Sequence, residues 1–146
     1  MATNLFRKVL ATVDLGDTES SVRVVHAALE VITDGDTLHV VCVVPDYGMS
    51  VVGSFFPADH EQQAIAKAKE ELHAFTGKHV PEGIPVQHII AHGNVYEEIL
   101  EAAATVSADL IVVGSHRPEL KDYLLGPNAA RVVRHSKRSV LVVRGE

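Results

Sequence analysis

The chain has 146 residues, enough for one domain with a sizeable core, and its net charge of −6 argues against a nucleic-acid partner, which normally requires a basic face. A single cysteine, Cys42, excludes an internal disulfide framework and is typical of a protein in a reducing compartment. Cys42 lies in an apolar run, so we expect its thiol to be buried and unreactive. We find neither a signal core nor an apolar run of membrane-spanning length, and therefore expect a cytoplasmic protein without a membrane partner.

Short apolar runs alternate along the chain with segments whose apolar residues recur at helical spacing. The apolar runs predict strands at Val9–Val13, 38–44, 86–91, 110–113 and Ser139–Val143. The helical spacing predicts helices from the candidate N-caps at 17–20 to Ile32, and then over His60–His79, 95–105 and 128–135. Strands that alternate with helices predict a single α/β domain with an open parallel sheet, helices on both faces and right-handed crossovers.

Residues 45–59 fit neither pattern. They include two glycines, two prolines and the aromatic residues Tyr47, Phe55 and Phe56. A loop of this length within a compact domain usually covers a ligand or forms a contact surface. The sequence leaves open whether this loop covers a ligand or packs on a partner subunit.

The segment from 109 to 135 carries the strongest functional signal. An apolar strand stops at Gly114, a mostly polar loop follows, and Gly126-Pro127-Asn128 closes this loop at the start of the last helix. In open α/β sheets, ligands bind beyond the carboxyl ends of the strands. Because a helix N-terminus also favours phosphate, this strand-to-helix corner is a candidate phosphate site.

Each residue of this candidate site also has a simpler interpretation. Asp14, at the end of the first strand, could cap the following helix, although Asp17 and Thr18 can do so as well. Gly114 and Gly126 could be turn glycines without contact to a ligand. The residues alone do not decide between these structural roles and a role in ligand binding.

The nine histidines do not predict a metal site. Only His88 and His92 form a His-x3-His pair. That spacing aligns two ligands on a helix, whereas here it falls on a predicted strand. The basic residues between 131 and 138 are interpreted as a solvated surface.

Three segments, in order, resemble the universal stress protein family over the whole chain. The opening Val-Leu-Ala-Thr-Val-Asp14 is similar to the family's first strand with its terminal aspartate. Gly114-Ser-His116 and Leu124-Leu-Gly126 resemble the family's nucleotide motif, G-x2-G-x9-G-[ST], and the segment 132–144 resembles its final helix and strand. Ser-His-Arg-Pro-Glu followed by Tyr-Leu-Leu-Gly is similar to the F/G-type members, in which Arg-Pro replaces the second glycine.

The resemblance implies the strand order 3-2-1-4-5, an ATP or AMP site at the carboxyl edge and homodimers formed through the last strand. It also implies a small stress-response or signalling protein whose state an unknown protein partner reads, with Mg²⁺ as a conceivable companion of ATP. Thr12, Val13 and Asp14 would receive the adenine edge, and Val43 would flank the base. The ribose and phosphates would contact the positions of the nucleotide motif, namely Val113, Gly114, His116, Arg117, Gly126, Pro127, Asn128 and Ala129.

Two residues depart from the family pattern. Arg117 stands where many members have glycine, and the loop is one residue shorter than the general spacing. Pro127 replaces the Ser/Thr after the last glycine, which removes a hydroxyl donor and a backbone N–H but suits the first turn of a helix. A lost hydrogen bond to phosphate costs about 1.5–3 kcal/mol. We therefore expect weakened binding that Arg117 or Lys121 could offset by pairing with a phosphate.

Enzymatic activity is not expected. The sequence has neither a G-x4-G-K-[ST] loop nor a G-x-S-x-G elbow, so any ATP hydrolysis through Mg²⁺ would be slow and incidental. The alternative function is a dimeric interaction protein whose phosphate loop is degenerate and binds no nucleotide. A dimer interface is predicted at the last strand, because its residues Val140, Leu141, Val142 and Val143 are too apolar for an uncovered edge.

Overall fold

The computed structural model describes residues 5–45, 60–115 and 127–145. Its strands are β1 (Val9–Val13), β2 (Leu38–Pro45), β3 (Val86–Gly93), β4 (Leu110–Gly114) and β5 (Ser139–Val143). Its helices are α1 (Thr18–Val31), α2 (His60–His79), α3 (Val95–Val106) and α4 (Pro127–His135). All nine predicted elements are present in these ranges. The features predicted at 46–59, His116, Arg117, Lys121 and Gly126 lie outside the described residues.

The five strands form one parallel sheet in the order β3-β2-β1-β4-β5. This confirms the parallel sheet predicted from the alternation of elements and the strand order implied by the family resemblance. β1 pairs with β2 along its whole length, but with β4 only from Val9↔Leu110 to Ala11↔Val112. The chain leaves β1 towards β2 and later returns on the other side to β4. The topological switch point of the sheet therefore lies between β1 and β4.

Two buried layers cover the two faces of the sheet, because successive side chains of a strand point to opposite faces. Under α1 and α2 the layer includes Val9, Ala11, Val13, Val24, Val25, Leu38, Val40, Leu72, Phe75 and Val112. Under α3 and α4 it includes Leu10, Val41, Ile99, Ala103, Ile111, Val113, Ala129 and Val132. The central strands β1 and β4 are apolar except at Thr12 and the terminal Gly114, because both of their faces are buried, as is usual in parallel sheets. The predicted placement of helices on both faces is confirmed.

Asp109 ties together the amino ends of β1 and β4. Its Oδ2 accepts hydrogen bonds from the backbone N–H groups of Arg7 and Lys8, at 3.1 and 2.9 Å. In return, the carbonyl of Lys8 accepts a hydrogen bond of 2.7 Å from the N–H of Asp109. The hydrogen bond from the Lys8 N–H is the main reason why the pKa of Asp109 lies below its ordinary value. These contacts fix the mutual register of the two strands whose opposite ends border the switch point.

Candidate functional site

A cavity of about 710 Å³ lies at the carboxyl end of the sheet, at the switch point between β1 and β4. Its walls come from the ends of β1, β2 and β4, the first turns of α1, α3 and α4, and one side of α2. The predicted nucleotide-site residues along it are Thr12, Val13, Asp14, Val43, Val113, Gly114, Pro127, Asn128 and Ala129. The fold thus brings every described residue of the predicted site to one cavity of a size typical of small-molecule sites.

Thr12 joins β1 to β4 just beyond the last backbone pair between these two strands. Its Oγ1 donates a hydrogen bond of 3.0 Å to the carbonyl of Val112, which belongs to the last pair of that ladder, Ala11↔Val112. The hydroxyl proton is therefore used within the protein, and only the oxygen lone pairs remain to meet a ligand. Thr12 holds the two strands together at the floor of the cavity.

Asp14 begins a loop whose backbone is fixed by the neighbouring helix. Its N–H donates to the Ser21 Oγ at 2.8 Å, and its carbonyl accepts from that hydroxyl at 2.9 Å and from the Asp17 N–H at 2.9 Å. One carboxylate oxygen, Oδ1, accepts from the Gly16 N–H at 2.9 Å. The second oxygen, Oδ2, has no hydrogen-bond partner among the described residues, and Asp14 lines the cavity.

Asp17, and not Asp14, caps α1. The Asp17 side chain accepts a hydrogen bond from the Ser20 N–H at 3.2 Å. This excludes the interpretation of Asp14 as the helix cap, which the sequence had left open. The Asp14 carboxylate stabilises the turn between β1 and α1 and is available at the cavity edge.

Gly114 is required by close packing. A Cβ at this position would overlap the Oγ of Ser20 and lie 3.2 Å from the Cγ2 of Val24, both on α1. Its φ is not in the left-handed region, so the simple turn-glycine interpretation does not explain it. The absent side chain lets the first turns of α1 approach the end of β4, which narrows this side of the cavity.

Pro127 is the first residue of α4, one position earlier than the predicted start. A proline fits there because the first N–H groups of a helix have no intrahelical partner. Asn128, half-buried, and Ala129, buried, follow along the cavity wall. The first-turn amides of these two residues and the positive end of the helix dipole form an anion-favouring corner.

Cys42 lies beneath the cavity and is only 4% exposed. Burial, with a smaller contribution from the Asp14 carboxylate, raises the pKa of its thiol to about 11. The thiol is therefore protonated at neutral pH, and a protonated thiol is a poor nucleophile. The structure confirms that this cysteine is buried.

Six polar residues of the wall were not among the predicted site residues: Asp17, Ser20, Ser21, Lys67, Glu71 and Ser115. Ser20 and Ser21 belong to α1, which directly follows a predicted strand end, and that position was the available signal. Lys67 and Glu71 lie on α2, and nothing in their helical spacing pointed to a cavity. Their side chains approach each other loosely, with 3.8 Å between the Lys67 Nζ and the Glu71 Oε1.

The described histidines make other contacts. His88 lies on β3, and its Nε2 is 2.7 Å from the Thr76 Oγ1 on α2. His92 follows on the same strand, and its Nδ1 is 3.0 Å from the Glu61 Oε1. Within residues 5–45, 60–115 and 127–145, no group of three or more His, Cys, Asp or Glu side chains is arranged to hold a metal ion.

The predicted dimer residues lie on β5, an edge strand that pairs only with β4 among the strands described. Val140 and Val142 are half-buried against the layer under α3 and α4, and Val143 is half-buried on the opposite face. Leu141 is 37% exposed. The edge thus presents one large apolar side chain to solvent.

An open parallel sheet with a ligand-sized cavity at its switch point, bordered by helix N-termini, defines the doubly wound class of α/β ligand-binding folds. Within that class, a family model described as "Universal stress protein family" matches residues 5–144. The chain belongs to the universal stress protein family.

Relatives along the full length agree with this assignment. Over 143 residues the chain is 29% identical to universal stress protein G of Shigella flexneri, covering 96% of this chain and 100% of that protein. Universal stress protein G of Salmonella typhimurium is 27% identical with the same coverage. These similarities confirm the resemblance to the F/G-type members that Ser-His-Arg-Pro-Glu had indicated.

Solved structures share the fold. MJ0577 of Methanocaldococcus jannaschii superposes with a TM-score of 0.79 at 24% identity, covering 97% of this chain and 98% of that chain. A universal stress protein in complex with cAMP superposes with a TM-score of 0.51 at 20% identity, covering the same shares of the two chains. None of the helices in the described part of the chain combines the length and the apolar character that a bilayer-spanning helix requires.

Proposed function

We propose that the cavity binds an adenine nucleotide, ATP or AMP, and that the protein is a cytoplasmic, dimeric stress-response or signalling module without a defined enzymatic activity. The observation that carries this proposal is the arrangement at the switch point. Asp14, whose Oδ2 has no hydrogen-bond partner among the described residues, lines one part of the cavity, and the first turn of α4 lines another. The cavity therefore contains both a hydrogen-bond acceptor for an amino group and a helix N-terminus that can bind phosphate.

The adenine end of the proposed complex is formed by β1 and β2. Val13 and Val43 supply apolar surface from the ends of these strands. The Asp14 Oδ2 can accept a hydrogen bond from the 6-amino group of adenine, because its Oδ1 is already bonded to Gly16. The solved complex of a family member with cAMP supports an adenine ligand.

The phosphate end is formed by α4, and its charge favours a ligand with few phosphates. Three carboxylates line the described cavity wall, those of Asp14, Asp17 and Glu71, against one ammonium, that of Lys67. A triphosphate meets more repulsion there than a monophosphate unless Mg²⁺ neutralises part of its charge. We therefore expect ATP to bind with Mg²⁺ and AMP to bind without it.

Calorimetric titration with AMP, and with ATP in the presence and absence of Mg²⁺, tests the proposal. Inosine monophosphate is the matched ligand, since a carbonyl replaces the 6-amino group of the base. Wild-type protein should prefer AMP by about tenfold or more, the effect of one unpaired buried hydrogen-bonding group. The absence of heat and of any thermal shift with all adenylates at millimolar concentration would remove the proposal.

The variant Asp14→Asn sharpens this test. An amide at Asp14 can keep the hydrogen bond from Gly16 through its oxygen, but its N–H₂ group then faces the ligand as a donor. The preference for AMP over inosine monophosphate should fall or invert. Asp34→Asn is the control, because Asp34 is an exposed residue that does not line the cavity.

The second candidate function is a dimeric interaction protein that binds no nucleotide. Pro127 favours it, because this residue supplies neither a hydroxyl nor an N–H at the start of α4. Absorbance of the supernatant after denaturation of freshly purified protein distinguishes the two candidates, since bound adenylate would be released. Turnover of ATP at about 1 s⁻¹, an ordinary enzymatic rate, would instead indicate a nucleotide-processing enzyme.

A further inference from the structure

Helix α2 forms one side of the cavity through Ala64, Lys67, Ala68 and Glu71. Two histidine contacts with β3 flank this stretch of the helix. Glu61, in the first turn, contacts His92, and His73, two residues beyond the last cavity-lining residue, contacts His88. The cavity-lining segment of α2 is therefore held between two contacts that both involve an imidazole.

The contact beyond the cavity wall is a stack of two imidazole rings. The ring centroids of His73 and His88 are 3.7 Å apart, with an angle of 23° between the ring planes. His88 is half-buried, and its pKa is lowered first by burial and then by the proximity of His73. Two neutral rings stack well at this distance, whereas two imidazolium rings repel each other strongly.

Thr76 joins His88 to α2 beside the stack. The Thr76 Oγ1 donates to the carbonyl of His73 at 3.3 Å and lies 2.7 Å from the Nε2 of His88. A proton taken up by His88 places a positive charge against the ring of His73, whose centroid is 3.7 Å away.

The other groups around the stack do not compensate this repulsion. From β2, the register partner of His88 is the apolar Val40. On α2, Lys69 and Glu70 lie one turn before His73 and carry opposite charges.

The contact in the first turn responds in the opposite direction. The Nδ1 of His92 lies 3.0 Å from the Glu61 Oε1, and protonation of His92 turns this contact into an ion pair. A positive charge on His92 thus strengthens the attachment of α2 at its first turn, whereas a positive charge on His88 weakens it at His73. Of the cavity-lining residues between them, Ala64 lies near the first contact, whereas Ala68 and Glu71 lie near the second.

We propose that α2 is an acid-responsive wall of the cavity, which pivots on the Glu61–His92 contact and separates from β3 at the His73–His88 stack when His88 takes up a proton. A histidine that stays neutral in the packed structure contributes its full stabilisation above its ordinary pKa of 6.5 and loses it as the pH falls further. We therefore expect α2 to separate from β3 at the stack in mildly acidic solution, whether or not a ligand is bound.

Hydrogen exchange of the full chain, followed by mass spectrometry, tests the proposal at about pH 7.5 and about pH 5.5, on either side of the range in which histidine titrates. After correction for the intrinsic chemical rate, peptides covering 68–76 should exchange faster at the lower pH than at the higher pH, because the helix opens more often at the stack. Peptides covering 60–64 should not. Equal acceleration along all of α2, or none, would overturn the proposal.

His73→Gln is the main variant, because His73 is exposed and its replacement leaves the core intact. It should abolish the pH dependence at 68–76, whereas His26→Gln, which replaces an exposed histidine of α1, should leave it unchanged. His88→Gln keeps a donor for Thr76 and should act like His73→Gln. A wild-type pH response in His73→Gln would show that the stack is not the sensor.

The effect on the ligand is a separate measurement, which rests on the proposed function. AMP affinity of the wild-type protein should fall between about pH 7.5 and about pH 5.5, and more steeply than that of His73→Gln. A lack of AMP binding at any pH would refute the proposed function and leave the exchange result standing. AMP binding with the same pH dependence in both proteins would show that the wall does not control the ligand.

Discussion

Gly114 and Ser20 lie so close that a Cβ on Gly114 would overlap the Oγ of Ser20. Gly114 ends β4 and Ser20 lies in the first turn of α1, so this contact joins the two elements that border the switch point on opposite sides. The glycine is explained by the packing of the protein alone. It can also be needed by a ligand, and a substitution series separates the two requirements.

Gly114→Ala should destabilise the protein by about 1–3 kcal/mol, because the added methyl group overfills a packed contact. Ser20→Gly removes the hydroxyl that the methyl group meets, so the double variant should recover most of the loss. Urea denaturation of the four proteins measures the coupling between the two positions. Additive losses in the double variant would contradict the packing explanation.

Nucleotide titration of the double variant then separates packing from ligand contact. If the methyl group meets only Ser20, the double variant should bind AMP as the wild type does. If AMP binding stays weak while stability has recovered, the methyl group also occupies space that the ligand needs. Ser20→Gly alone is the control for both readings.

The sequence predicted the fold well because the signals for it are local or periodic. Apolar runs and helical spacing identified all nine elements described, since both faces of the sheet are buried and the helices have one apolar side. The prediction of the strand order depended on the family resemblance, because the periodicity of apolar residues does not determine which strands are neighbours. The shared cavity of Asp14, Val43 and Asn128 followed from the same source.

Other parts of the site could not be predicted, since they depend on distances between elements remote in sequence. Lys67 and Glu71 reach the cavity only because α2 packs across the sheet end, and no local pattern encodes that position. The requirement for glycine at 114 arises from a contact with a residue of α1, more than ninety positions earlier in the sequence. The stack of His73 on His88 likewise joins a helix to a strand that follows it.

Replacement of Pro127 should strengthen the binding of phosphate-bearing ligands. Pro127→Ala restores a backbone N–H at the first position of α4, and Pro127→Ser restores the N–H and adds a hydroxyl. Each new hydrogen bond to a charged phosphate is worth about 1.5–3 kcal/mol, or about ten- to a hundredfold in affinity. Calorimetry with AMP should give the order Pro127→Ser, Pro127→Ala, wild type, from tightest to weakest. Weaker binding by Pro127→Ser would show that no phosphate contacts this turn.

The lowered pKa of Asp109 should make the stability of the folded protein decrease in acid. The hydrogen bonds from the Lys8 and Arg7 N–H groups lower the pKa of its carboxyl below 3.8, so the folded state favours the ionised form. This stabilisation is fully present above pH 3.8 and is lost as the pH falls through the lowered pKa. Asp109→Asn should therefore reduce the melting temperature at neutral pH and narrow its difference from the wild type in acid. Asp34→Asn, at an exposed position, should leave both values unchanged.

Leu141 provides the test of the proposed dimer. It is 37% exposed on the edge strand β5, whose outer edge is available for pairing with a strand of another subunit. Leu141→Lys should convert the protein to monomers on a sizing column with multi-angle light scattering, because a charge in the centre of an apolar strand pair would be buried without a partner. Val133→Lys is the matched control, since Val133 is a similarly exposed apolar residue of α4 that lies outside the predicted interface. A dimer that survives Leu141→Lys but is lost in Val133→Lys would place the interface on the helix face instead of the strand edge.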